Sequence, residues 1–317
     1  MKHALLLALF APAMAFAQTP DTEATPETPS DVIAAATAAD WRPIAPENLL
    51  VMTMGSGAEV FIELAPDFAR VHVENIRSLA RAGWYDGISV NRVQDNYVVQ
   101  WGDASGEKPL PEGVVEQPPA EYHIGPVGRD RFPLTVVSRG GYTRFSGYVR
   151  GWPVGTTGTW PTRRGRRIFG IVATLGDERA SLIHCYGMVG VGRGNNPDTG
   201  TGAELYTVIG HAPRHLDRNI ALVGRIVEGI EHLSSLPRGT GPLGFYEEAE
   251  QRVPIATMRL ASELPEADRP RFQVMRTDTE TFRRYVHARA NRTGWFIRPA
   301  GAVDVCNVNL PIRRVVE

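Results

Sequence analysis

The chain has 317 residues, with 34 lysines and arginines against 35 acidic residues. That length fits one large domain or a domain with an extension, and the charge balance gives no reason to expect nucleic acid or an anionic membrane as the main partner. At the N-terminus, Met1-Lys2-His3, the short apolar run Ala4 to Ala11 and Ala15-Phe16-Ala17 have the three parts of a secretory signal peptide cut after Ala17. The run is too short to cross a bilayer and no later stretch supplies a transmembrane segment, so the expected product is exported and periplasmic. Residues 18–47 read as a flexible leader, because Thr, Pro, Ala, Glu and Asp dominate them as far as about Ala39.

From about residue 48 short strands prevail. Glu59 to Leu64 and Gly87 to Val93 are rich in β-branched and aromatic residues and bounded by Gly, Asp and Pro. Between them, Val73, Ile76, Leu79 and Ala80 recur at helical spacing, which predicts a helix over 67–82 with Asp67 at its positive end. A second strand-to-helix passage runs from Ala221 to Val227 into a helix over 228–236, ended by Pro237. Residues 104–186 turn to Gly, Pro, Thr and Arg and read as a loop-rich insertion with a few strands, such as Leu134 to Val137. The segment 241–317 reads as a C-terminal extension with one helix, capped by Thr277 with Glu280 and burying Phe282, Tyr285 and Val286.

Several patterns invite chemistry and do not support it. Asp198-Thr199-Gly200 spells the aspartic-protease tripeptide, but that reaction needs two carboxylates sharing a proton and there is no second copy. Gly187, Gly190, Gly192 and Gly194 lack the spacing of a phosphate loop. His184, His211 and His215 lack metal-site spacing and read as surface or pocket-rim residues, so no metal and no cofactor is expected. The basic run Arg163 to Arg167, flanked by Trp152 and Trp160, reads as a solvated loop. Cys185 and Cys306 leave two readings open, a single disulfide or two buried thiols.

Five blocks in order carry a specific resemblance. The first block is Asp86-Gly87-Ile88-Ser89-Val90-Asn91-Arg92-Val93 together with Tyr97-Val98-Val99-Gln100-Trp101-Gly102-Asp103. Further on come Gly187-Met188-Val189-Gly190-Val191-Gly192, Ala203-Glu204-Leu205-Tyr206-Thr207-Val208, His215-Leu216-Asp217, and Gly224 to Gly229. Together they resemble the cyclophilin family of peptidyl-prolyl isomerases over about Val51 to Leu236, the insertion excepted. The resemblance implies a mainly β fold: a closed antiparallel eight-stranded barrel with two flanking helices, here a domain over 48–240 carrying the insertion and the extension. It also implies Arg92 as the catalytic residue, and a substrate groove formed by Tyr97, Val98, Gln100, Gly192, Glu204, Tyr206 and Leu216.

The chemistry explains these residue types. Peptide resonance sets a rotation barrier of roughly 18–20 kcal/mol, and X-Pro bonds isomerise over tens of seconds. Only interactions stronger in the twisted state than in the planar states speed the step. The twisted amide nitrogen becomes an acceptor, which a fixed guanidinium beside the proline satisfies. Departures from the family pattern bear on this site. Tyr97 and Tyr206 replace Phe, adding hydroxyls that need partners. Glu204 replaces Gln and is expected to compete for Arg92; Asn91 replaces His, His215 replaces Trp and Val191 replaces Met. The expected function is an isomerase acting as a monomer on proline-containing segments of exported proteins. The alternatives are a weakly catalytic module that binds such segments, or an envelope assembly scaffold.

Overall fold

The computed structural model describes residues 26–127, 132–140, 142–157, 172–173 and 179–316. The expected signal peptide, Trp160 and the Arg163 to Arg167 run lie outside these residues. In chain order the elements begin with α1 (Pro29–Ala34), β1 (Trp41–Pro43), β2 (Leu49–Met54), β3 (Glu59–Leu64), α2 (Arg70–Arg81), β4 (Ser89–Val93) and β5 (Val98–Gly102). The insertion supplies β6 (Leu134–Gly140), β7 (Thr143–Val149), β8 (Trp152–Thr157), β9 (Val172–Ala173) and β10 (Arg179–Leu182). Then follow β11 (Met188–Val191), β12 (Leu205–Val208), β13 (Leu222–Glu228), α3 (Glu231–Ser234), β14 (Val253–Leu260), β15 (Phe272–Met275), α4 (Glu280–Ala290) and β16 (Ile312–Arg314).

Eight strands close an antiparallel barrel in the order β11-β12-β5-β4-β14-β2-β3-β13. Closure leaves no unpaired edge. The pleat sends alternate side chains inward, and Met52, Val60, Ile62, Val90, Val99, Trp101, Leu205 and Met258 fill the interior. Helix α2 adds Val73, Ile76, Leu79 and Ala80 to that core, the four positions its spacing marks. Its first turn is capped by Glu121 of the insertion, which accepts from the Val71 and His72 N–H groups at 3.0 and 3.1 Å. Asp67, expected in that role, instead pairs with Arg150. The second expected helix is shorter than its pattern: Glu228 still belongs to β13, and α3 covers only Glu231–Ser234.

Three segments are more structured than their composition indicates. The insertion is a sheet, β10-β8-β7-β6-β9, and Trp152, which flanks the run read as a solvated loop, opens one of its strands. The barrel does not end near 240, because β14 comes from the segment set aside as an extension and pairs with β2 and β4. In the leader, α1 buries Val32 completely and packs on α4, while Trp41 opens a small sheet β1-β15-β16.

The C-terminal helix is present, but its cap is Thr279, whose hydroxyl accepts from the Phe282 N–H at 3.2 Å. Thr277 is buried and ties α4 to the insertion: its hydroxyl accepts from Gly151 at 3.0 Å and its carbonyl from Thr135 at 2.6 Å. Cys185 and Cys306 are joined in a disulfide, closing a loop of 121 residues in sequence separation.

Candidate functional site

Strands β4 and β5 pair Val90 with Trp101 and Arg92 with Gln100, so β4 carries one extra residue, Asn91, at a bulge. Strict alternation puts Val90 and Arg92 on one face. The bulge breaks that expectation: Val90 points into the barrel with Val99 and Trp101, while Arg92 faces outward beside Gln100. Asn91 holds the bulge by donating to the Gly102 carbonyl at 3.2 Å, and its own carbonyl accepts from Tyr246 at 2.9 Å.

The Arg92 guanidinium is half-buried and fixed on several sides. Its Nε donates to the Leu243 carbonyl at 2.7 Å, Nη1 donates to Gln100 Oε1 at 3.2 Å, and Nη2 donates to Gln94 Oε1. The Tyr97 and Phe245 rings lie 5.5 and 5.3 Å from it. Burial lowers its pKa, opposed by Tyr97, and an arginine still remains charged. Leu243 and Phe245 escaped sequence reasoning because they lie far along the chain; the strained Leu243 backbone, at φ 58°, gives no signal in the sequence.

Glu204 does not reach Arg92, contrary to the expected competition. It sits one step further, accepting from Gln100 Nε2 at 3.4 Å, so Gln100 bridges the cation and the carboxyl. Two glycines make room for it: a Cβ at Gly102 would stand 1.9 Å from Glu204 Oε1, and one at Gly192 would stand 2.8 Å from its Cβ. Burial, with a smaller contribution from the Asp103 charge, pushes the Glu204 pKa up to about 7 against the Gln100 hydrogen bond.

Tyr97 is half-buried, stacks on His215 at 5.8 Å, and shares a 3.4 Å hydrogen bond with its Nε2. Leu216, which follows His215 in the chain, is half-buried. Val98 and Tyr206 depart from expectation: they are 2% and 4% exposed and form a buried floor under the insertion, not the lining of an open pocket. The Tyr206 hydroxyl has the partner it needs. It donates to His184 Nε2 at 2.8 Å, and His184 Nδ1 donates to Asp217 at 2.8 Å. His184 is therefore a buried link and not a rim residue, whereas His211 and His215 are exposed. Gly190 makes the chain possible, since a Cβ there would lie 2.3 Å from the Tyr206 hydroxyl. Asp198 forms the turn its surroundings require, accepting from Gly200 at 2.8 Å.

The closed eight-stranded barrel thus carries an arginine and a glutamine paired on its outer face, with the Tyr97 and Phe245 rings beside them. The chain belongs to the family described as cyclophilin type peptidyl-prolyl cis-trans isomerase/CLD, whose model matches residues 49–260 and so includes β14. Among proteins it resembles, a probable peptidyl-prolyl cis-trans isomerase of Brucella suis is 40% identical over 58 residues, and one of Brucella abortus is 38% identical over the same length. Those stretches cover 18% of this chain and 29% of each relative. The crystal structure of cyclophilin AquaCyp293 from Hirschia baltica is similar over 92% of this chain and 98% of its own, at 26% identity and a TM-score of 0.65. That coverage takes in most of the insertion and the C-terminal segment.

Proposed function

We propose that the chain is a peptidyl-prolyl cis-trans isomerase whose catalytic group is Arg92, acting on proline-containing segments of exported proteins as they fold. The observation that carries this reading is the outward Arg92–Gln100 pair at 3.2 Å. A guanidinium has five N–H donors, and the three engaged by Leu243, Gln100 and Gln94 leave one on each terminal nitrogen for a substrate. Held in this way, the cation reaches the amide nitrogen without reorganising when rotation exposes its lone pair. Gln100 and Gly192 take the peptide backbone, and Tyr97 and Leu216 flank the proline ring. Export rests on the signal-peptide pattern of Met1 to Ala17, and the disulfide fits an oxidising compartment. The protein acts as a monomer.

A protease-coupled assay on Xaa-Pro peptides tests the reading, comparing wild type with Arg92→Ala at equal folded concentration. Acceleration that falls about tenfold or more, equivalent to about 1.4 kcal/mol of transition-state stabilisation, supports it. Absence of acceleration by the wild type refutes it. One observation favours a second reading. With Val98 and Tyr206 buried, a proline ring meets a shallow floor, which suits a module that holds proline segments without fast turnover. Peptide binding without acceleration distinguishes that module.

A further inference from the structure

The loop after α4 presents the most exposed large apolar side chains among the described residues. Residues 291–300 leave the helix and return to it, closed at the base by the Gly301 N–H donating to the Ala290 carbonyl at 3.0 Å. Gly294, at φ 72°, makes the turn that a side chain would strain. At the tip Trp295 is 88% exposed and Ile297 96%. Phe296 folds back, with the Arg292 guanidinium 5.4 Å from its ring and Trp295 edge-on at 5.2 Å. The loop is thus braced from behind, leaving one tryptophan and one isoleucine outermost.

Between Glu280 and Asp304 the chain carries positive charge only. Residues 281–303 contain Arg283, Arg284, Arg289, Arg292 and Arg298, and no aspartate or glutamate. Glu280 and Glu27 offset Arg283 and Arg284, and Arg289 donates to the Asn307 carbonyl. Arg292 and Arg298, which bracket the apolar tip, have no carboxylate partner among the described residues. The overall charge balance of the chain conceals this patch.

We propose that the 291–300 loop is a docking element for an anionic lipid bilayer, with Trp295 and Ile297 entering the headgroup boundary and Arg292 and Arg298 meeting the phosphates. Tryptophan favours that depth because its ring is amphipathic, and cations beside a shallow apolar insertion are drawn to anionic headgroups within about a Debye length. The tip stands clear of the fold, with its two outermost side chains almost wholly in solvent. A protein partner would need a matching cavity for it, whereas a fluid lipid surface conforms to it. Two apolar side chains and two cations give reversible, salt-sensitive attachment. This inference stands apart from the isomerase reading and neither requires nor supports it.

The test is co-sedimentation of the chain from Gln18 onward, which retains every described residue, with vesicles of equal parts phosphatidylglycerol and phosphatidylcholine. The expected result is binding that weakens with added salt, is absent with phosphatidylcholine alone, and drops about tenfold in both Trp295→Ser/Ile297→Ser and Arg292→Gln/Arg298→Gln. Trp295, Ile297 and Arg298 are exposed and Arg292 is half-buried against Phe296, so both variants keep the wild-type melting curve. Failure of the wild type to bind anionic vesicles overturns the proposal, as does equal binding by the variants. Sedimentation velocity supplies a further contrary outcome: self-association abolished by the tip variant, without vesicle binding, makes the loop a protein interface.

Discussion

Arg92 and Gln100 face each other across β4 and β5 on the outside of the barrel because Asn91 bulges out of the ladder. The bulge turns the arginine outward while Val90, two residues earlier, stays in the core. Gln100 then couples the cation to a partly buried carboxyl, since its Oε1 accepts from Arg92 and its Nε2 donates to Glu204.

The Glu204 carboxyl makes stability fall as pH rises. Its pKa is about 7 in the folded chain, against an ordinary value of 4.5, so between these values the folded state binds more protons than the unfolded state. Its stabilising contribution is complete below 4.5 and is lost through pH 7, a change on the order of 3 kcal/mol. Glu204→Gln removes this slope. Urea denaturation at pH 5 and pH 8 should show the variant gaining relative to wild type at the higher pH, and equal differences at both would contradict the assignment.

Tyr206→Phe restores the family's usual residue but strands His184 Nε2 in the core. Leaving one buried acceptor unpaired costs about 1–3 kcal/mol, while the ring keeps its packing. Chemical denaturation should show that loss, and an unchanged midpoint would mean that the Tyr206–His184–Asp217 chain contributes nothing to stability.

Cys306→Ser releases the C-terminal segment from the residue next to His184. Removing the cross-link between positions 121 residues apart is expected to destabilise by about 2–5 kcal/mol. The melting temperature of the oxidised protein should fall on adding reductant, whereas Cys306→Ser should melt at the same temperature with or without it.

Glu63 is buried between Arg225, at 2.6 Å, and Arg42, at 2.7 Å, and Arg225 also donates to the Gly151 carbonyl at 2.6 Å. This group joins the barrel to the insertion. Glu63→Gln leaves two cations without their counter-charge and should cost about 3–5 kcal/mol, read as a lower urea midpoint.

The barrel and much of the site were legible because the signals are local. Helix α2 shows its buried face in Val73, Ile76 and Leu79, and Arg92 and Gln100 stand in two adjoining short blocks of the sequence. What escaped depends on distant partners. Strand β14 is a strand because β2 and β4 need a neighbour, and the Gly- and Pro-rich insertion forms a sheet because its apolar residues share a core with Tyr206 and α4. Val32 lies in a polar leader, and only α4 gives it a surface to cover. The bulge at Asn91 reversed the simple reading of alternation, and burial of His184 followed from an aspartate 33 residues away.

The most direct test of the account is exchange NMR on an Ala-Pro peptide with wild type, Arg92→Lys and Arg92→Ala, which reads binding and interconversion separately. The account predicts peptide binding by all three and rapid exchange in the wild type. Exchange should fall about tenfold or more in Arg92→Ala, with little recovery in Arg92→Lys, because an ammonium does not reproduce the guanidinium fork. Exchange in Arg92→Ala equal to that of the wild type would contradict it.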